Sequence, residues 1–181
     1  MEDMGSLSSR FARAEPLSPG TMVRMHTLEL AGRRVTIARA AVDDLPEIIA
    51  LLADDVLGRD RESGRMEPYE SAFARIDRDD SQSLIVARDG EGRAVATMQL
   101  TLIPSLSRGG ATRLQIEAVR VDASMRGEGL GAALFAWAHD WGREHGAALA
   151  QLTTDTSRAD AHRFYERLGY RASHVGFKLP L

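Results

Sequence analysis

With 181 residues and no cysteine, the chain can bury a core unaided, and it holds no disulfide framework, thiol nucleophile or cysteine-based metal cluster. A net charge of −3 argues against a protein held to nucleic acid by phosphate contacts. No apolar run approaches the roughly 20 residues that span a bilayer, and the N-terminus carries Glu2 and Asp3 without an apolar stretch, so the expectation is one domain, cytoplasmic, with no membrane partner.

Residues 1–30 are rich in Ser, Gly, Pro and isolated charges and read as a poorly ordered N-terminal tail, leaving 31–181 as the folded domain. Arg33 to Arg39 alternates Val35 and Ile37 with polar residues, a strand pattern. A helix follows, with Asp43 or Asp44 as cap, Pro46 in the first turn and Leu45, Ile48, Ile49 and Leu52 as its stripe. Asp54 to Arg65 is a charged loop, either a solvated connection or the border of a pocket. Tyr69, Phe73 and Ile76 then mark a second helix. Ser83 to Arg88 and Ala94 to Ile103, joined through Asp89-Gly90-Glu91-Gly92, make a β-hairpin.

Arg113 to Val121 reads as a strand whose alternation places Gln115, Glu117, Val119 and Val121 on one face and Leu114, Ile116 and Ala118 on the other. A carboxylate in mid-strand is costly unless it is solvated or used. The strand runs into Arg126-Gly127-Glu128-Gly129-Leu130-Gly131, a glycine-rich turn opening a helix. Such a turn lets backbone amides approach an anion at the positive end of a helix, with Arg126 as a nearby charge. It is not a P-loop, because no Lys-Ser/Thr pair follows the last glycine, and it is a poor dinucleotide fingerprint. Taken alone it fits a phosphate cradle or a plain turn.

Leu130, Leu134, Trp137 and Trp141 define the next helix, which Gly146 stops. A strand spans about Ala147 to Thr154. Ser157 and Asp160 read as a capping box for a helix with Ala161, Phe164 and Leu168 inward, ended by Gly169. Tyr170 to Leu181 would close the chain as one or two short strands. The whole is a mixed α/β fold around one sheet.

In this order of elements the chain resembles the GNAT superfamily of N-acetyltransferases. Arg126, Gly129 and Gly131 fit its Arg/Gln-x-x-Gly-x-Gly/Ala signature, and Tyr165, Gly169 and Tyr170 fit its second hallmark, a helix with Tyr four residues before a Gly-aromatic pair. The resemblance implies a mostly antiparallel central sheet flanked by helices, acetyl-CoA as donor and an amine as acceptor. It implies pyrophosphate on the amides of Arg126, Gly127, Glu128, Gly129, Leu130 and Gly131. Pantetheine would lie along the backbone of Val119, Arg120 and Val121, with the Val119 N–H as oxyanion donor. Glu117 is then the general base, through a water because a carboxylate is far less basic than an alkylamine, and Tyr165 the general acid.

The family often has Asn near the start of the Tyr helix. Here Asp155 or Ser157 stands in for that pantetheine contact. DAHRFY-x-x-x-GY followed by Ser173, His174 and Phe177 is locally similar to aminoalkylphosphonate N-acetyltransferases, for which Arg108, Arg113 or Arg120 would be the cationic partner. His162 would line the acceptor side. No metal is expected. Two alternatives stand beside a small-molecule enzyme: a protein or peptide acetyltransferase, and a non-catalytic acyl-CoA sensor. A homodimer is compatible with the family, although no stripe in the sequence argues for one.

Overall fold

A computed structural model describes residues 25–30, 32–54, 62 and 64–181. Strands β1 (His26–Leu30), β2 (Arg33–Arg39), β3 (Gln82–Arg88), β4 (Ala94–Ile103), β5 (Thr112–Val121) and β6 (Ala147–Gln151) form one sheet in that order. All neighbours are antiparallel except β5 and β6, which run parallel. Helices α1 (Leu45–Ala53) and α2 (Glu67–Asp77) connect β2 to β3. A single helical turn, α3 (Ser107–Gly110), lies between β4 and β5. Helix α4 (Leu130–Glu144) crosses from β5 to β6, and α5 (Ala159–Arg167) follows β6. The family's mixed, mostly antiparallel sheet with flanking helices is what the chain adopts.

Two apolar layers hold the sheet. On one face α4 buries Leu130, Leu134, Phe135 and Ala138 against Val35, Ile37, Ile85, Met98, Leu100, Leu114 and Ile116. On the other, α1 and α2 bury Leu45, Ile48, Leu51 and Phe73 against Leu84, Val86 and Ala94. The α4 face is offset from the expected stripe: Trp137 and Trp141 are only half-buried, and Trp141 stacks on His145 at 4.1 Å between centroids. Glu47 of α1 ties its helix to the sheet, accepting the Ala94 N–H at 2.7 Å and an Arg88 N–H at 3.0 Å. That backbone donor, followed by the Arg88 hydrogen bond, holds the Glu47 carboxyl below its ordinary range.

Three expectations change at the ends of the chain. His26–Leu30, read as part of the tail, is a strand in register with Arg33–Ile37; the hairpin supplies the partner that a five-residue strand needs. Residues 1–24 lie outside the described residues. Beyond Tyr170 no regular strand forms, and residues 171–181 are exposed. Finally, the Ser157–Asp160 capping box is absent. The Ser157 N–H and hydroxyl both donate to Asp155 Oδ1, at 3.0 and 2.6 Å, and α5 begins at Ala159 without a side-chain cap.

Candidate active site

Strand β5 changes character halfway along. Thr97 pairs with Arg120 and Gln99 with Glu117, so Ala118 and Val119 together face the single residue Met98. This is a β-bulge, and Ala118 sits in the left-handed region at φ 51°, at a cost of about 1–2 kcal/mol for a residue with a Cβ. The bulge resets the alternation. Leu114 and Ile116 before it, and Val119 and Val121 after it, all pack against the α4 core, whereas Glu117 is exposed. Glu117 and Val119 therefore do not share a face, contrary to the unbroken alternation read from the sequence.

The bulge coincides with a parting of strands. Pairing of β5 with β6 runs only from Thr112 to Gln115. Beyond it, Ile116 to Val121 have no strand on their outer edge among the described residues. The Asp122 N–H donates inward to Val95 O at 2.8 Å, so the period-two backbone turns Val121 and Val119 outward. Their carbonyls accept from side chains instead, Val119 O from Arg120 at 2.8 Å and Val121 O from Arg126 Nε at 3.4 Å.

The glycine turn lies at the end of this free edge. Asp122 caps a 3-10 turn, Ala123–Met125, by accepting the Ser124 N–H at 2.9 Å and hydroxyl at 2.5 Å. Gly127 and Gly129 then take φ of 83° and 85°, a conformation that favours glycine. The first intrahelical bond of α4 is Ala133 N–H to Gly129 O at 3.0 Å, so the amides of Leu130 and Gly131 have no partner within the helix. The Leu130 side chain, fully buried, anchors that end. Gly131 has a different cause: a Cβ there would meet the Phe164 ring of α5 at 3.3 Å. Arg126 lies 3.7 Å from Asp54, and Glu128 3.7 Å from Arg33.

Helix α5 brings Tyr165 to the same side. Its ring packs edge-on against Phe135 at 5.6 Å and Tyr170 at 6.1 Å between centroids. The Tyr170 hydroxyl is 2.7 Å from His139 Nε2, and the Tyr170 N–H donates to Tyr165 O at 3.0 Å. Burial pushes the Tyr165 phenol above its ordinary pKa, against a smaller opposite pull from Arg158 and Arg120. It pushes Tyr170 up to about 12. Tyr165 is thus a protonated donor at neutral pH. The His162 ring lies against the loop leading into α5, its Nε2 3.1 Å from Asp155 O.

Glu117 lies on the opposite face, within a polar belt that the sequence did not reveal. Gln99 is in register with both Leu84 and Glu117, and Leu84 belongs to the α1–α2 core, so Glu117 faces the α1–α2 side. Gln99 donates to Gln82 at 2.9 Å, Gln151 donates to Gln115 at 2.7 Å, and Arg113 reaches Gln151 at 3.5 Å. Arg113 Nε is buried without a hydrogen-bond partner among the described residues. The available signal was four glutamines at strand positions, but they are spread over 70 residues of sequence from Gln82 to Gln151. Of the charged loop 54–65, read from the sequence as a solvated connection or a pocket border, residues 55–61 and 63 lie outside the described residues.

Residues 47–170 match the acetyltransferase (GNAT) family. A curated aminoalkylphosphonate N-acetyltransferase of Salmonella typhimurium is 46% identical over 67 residues, 37% of this chain and 44% of that protein. A glucosamine 6-phosphate N-acetyltransferase of Trypanosoma brucei brucei is 39% identical over 90 residues, 50% of this chain and 59% of that protein. The chain thus aligns with about half the length of these curated relatives. A crystal structure of a transcriptional regulator from Bacillus halodurans superposes with a TM-score of 0.77 at 45% identity, covering 81% of this chain and 99% of that one. The glycine turn, the free β5 edge and these likenesses agree: the chain belongs to the acetyltransferase (GNAT) family.

Proposed function

We propose that the protein moves an acetyl group from acetyl-CoA to the amine of a small molecule by direct attack. The observation that carries this reading is the free outer edge of β5 between its bulge and the glycine turn, with Glu117 on one side and Tyr165 on the other. The residues fit the donor. The amides from Gly127 to Gly131, without a hydrogen-bond acceptor among the described residues, suit a pyrophosphate, and the outward backbone of Val119 and Val121 suits an amide-bearing arm that pairs like a short strand. Asp155 and Ser157 stay in the proposal as flanking contacts to that arm, through the loop they brace.

Bound there, acetyl-CoA supplies the activated acetyl group. The Val119 N–H, turned by the bulge, serves as the fixed donor to the acyl oxygen. Glu117 makes no hydrogen bond or ion pair among the described residues, which leaves its carboxylate open to take the amine's proton through a water. The Tyr165 hydroxyl, kept protonated by burial, gives a proton to the departing sulfur.

The belt beside Glu117 bears on the acceptor. Carboxamides offer donors and acceptors to hydroxyls, and Arg113, on the same face four residues from Glu117, suits an anionic group. Of the other two arginines considered, Arg108 is exposed on α3 and Arg120 is turned onto Val119 O. Two relatives carry names of substrates with both an amine and a phosphorus-centred anion, which supports a small anionic amine over a peptide.

The test is release of free CoA from acetyl-CoA across aminoalkylphosphonates, amino-sugar phosphates, their uncharged analogues and a lysine peptide. Turnover is expected with the anionic amines, and Arg113→Gln should raise their KM at least tenfold while sparing neutral analogues. Turnover with the peptide alone would transfer the reading to a protein acceptor. Tight acetyl-CoA binding without any turnover would leave a sensor.

A further inference from the structure

The chain has four glutamines and no asparagine, and all four side-chain carboxamides meet on one face of the sheet. Gln82, Thr101, Gln115 and Gln151 stand in register across β3, β4, β5 and β6, and Gln99 and Glu117 form the neighbouring pair on β4 and β5. A carboxamide has a donor end and an acceptor end, so its direction decides what it offers to a neighbour. Here the neighbour is Glu117.

Two charged groups fix those directions. Asp79 accepts the Ser81 N–H at 2.9 Å and hydroxyl at 2.6 Å on Oδ1, and Gln82 Nε2 at 3.2 Å on Oδ2. The Ser81 hydroxyl, then Gln82, holds the Asp79 carboxyl below its ordinary range, and an ionised carboxylate only accepts. Gln82 therefore turns its NH2 to Asp79 and its carbonyl to Gln99, which donates to it at 2.9 Å. Gln82 and Glu117 flank Gln99 from β3 and β5. The Gln99 NH2 is thus drawn away from the carboxylate, and its carbonyl oxygen is left on the Glu117 side. At the other end Arg113 only donates. It faces Gln151 Oε1 at 3.5 Å, Gln151 donates to Gln115 Oε1 at 2.7 Å, and the Gln115 NH2 is left over. Neither Gln99 Oε1 nor Gln115 Nε2 has a hydrogen-bond partner among the described residues, and neither is sealed from solvent.

We propose that Asp79 is a positioning residue for acetyl transfer: through Gln82 it holds Gln99 with its acceptor end beside Glu117, while Arg113 holds Gln115 with its donor end outward. This role rests on the acceptor reading above; the direction of the carboxamides does not. A Gln99 turned the other way would give its NH2 to the Glu117 carboxylate, and a carboxylate that holds such a bond is a weaker base. Turned as it is, Gln99 accepts an N–H of the incoming amine. The Gln115 NH2 then meets a hydroxyl or oxyanion of the same molecule, which selects amines that carry an oxygen-rich group.

Asp79→Asn reverses the relay while keeping an oxygen for Ser81. The new NH2 faces Gln82, which must present its carbonyl, so Gln99 must swing its own NH2 to Glu117. With no asparagine in the parent chain, side-chain NH2 signals in a nitrogen-15 spectrum come from the four glutamines, and Overhauser contacts read their direction. In the parent the Gln99 NH2 should contact the Gln82 side chain and be indifferent to Glu117→Ala. In Asp79→Asn the contacts should move to Glu117. With 2-aminoethylphosphonate as acceptor kcat should fall roughly tenfold or more, and the KM for acetyl-CoA should hold. Adding Gln82→Glu, an acceptor toward both neighbours, should restore contacts and kcat together, which lost packing would not allow. Parent contacts from the Gln99 NH2 to Glu117 overturn the proposal. So does an Asp79→Asn chain with parental contacts or parental kcat, or a double variant as slow as Asp79→Asn. Parental contacts as expected, with no amine acetylated, would support the relay's direction and overturn the acetyl-transfer reading on which its role rests.

Discussion

Strands β3 and β4 pair from Gln82 to Arg88, with Leu84 and Val86 buried beneath α1 and α2 and Ile85 and Ala87 beneath α4. Strands β5 and β6 share four register pairs and then part, and beyond the parting β5 carries a bulge, an exposed carboxylate and an unpaired edge. The first region is packed on both faces and paired along its length, its one irregularity a register shift between Ala87 and Arg88 at the hairpin end. The second leaves polar groups unpaired and holds an alanine at φ 51°. Strain and open hydrogen-bonding capacity persist only where the surrounding structure enforces them, and here the fully buried Met98, Leu100 and Leu134 do so. The closed region therefore supplies stability, and the open one holds the proposed site.

That division can be broken from either side. The largest effect belongs to the open region: Glu117→Gln should lower kcat about 10²–10⁴-fold with little change in the denaturation midpoint, since the exposed carboxylate supports no packing. Steady-state kinetics beside urea titration reads both. Leu100→Ala should do the reverse, costing about 2–5 kcal/mol of stability from a fully buried site while the folded fraction keeps its kcat. Tyr165→Phe is the smallest of the three, about tenfold in kcat, and it sharpens the comparison through pH. Burial raises the phenol's pKa, so with Tyr165 as the proposed acid, activity should hold to higher pH than a free tyrosine would allow and fall only as pH rises through that raised value. The Phe variant should lack this alkaline limb in its pH–kcat profile.

The closed region was the more legible in sequence. Val35 and Ile37, the 83–103 hairpin and the α1 stripe carry simple periods that packing enforces. The glycine turn was legible too, because Gly127 and Gly129 mark backbone that other residues avoid. What escaped was what depends on long-range partners. The bulge sits on Ala118, a residue with no preference for a positive φ, so nothing in the sequence interrupts the alternation. The belt around Glu117 joins β3, β4, β5 and β6 across the sheet and has no local signature. His26–Leu30 is a strand only because β2 is its neighbour. Ser157 could serve Asp160 or Asp155, and the Asp155 loop won.

In the proposed function the parted half of the sheet, and no other part, receives acetyl-CoA. Amide hydrogen exchange with and without saturating acetyl-CoA tests it most directly, using Gly129→Val as a control whose side chain is strained at φ 85°. New protection is expected at Ile116–Val121 and across the 126–132 turn, none at β1 to β3, and loss of the effect in the variant. Protection confined to the closed region, or an unaltered response in Gly129→Val, would contradict it.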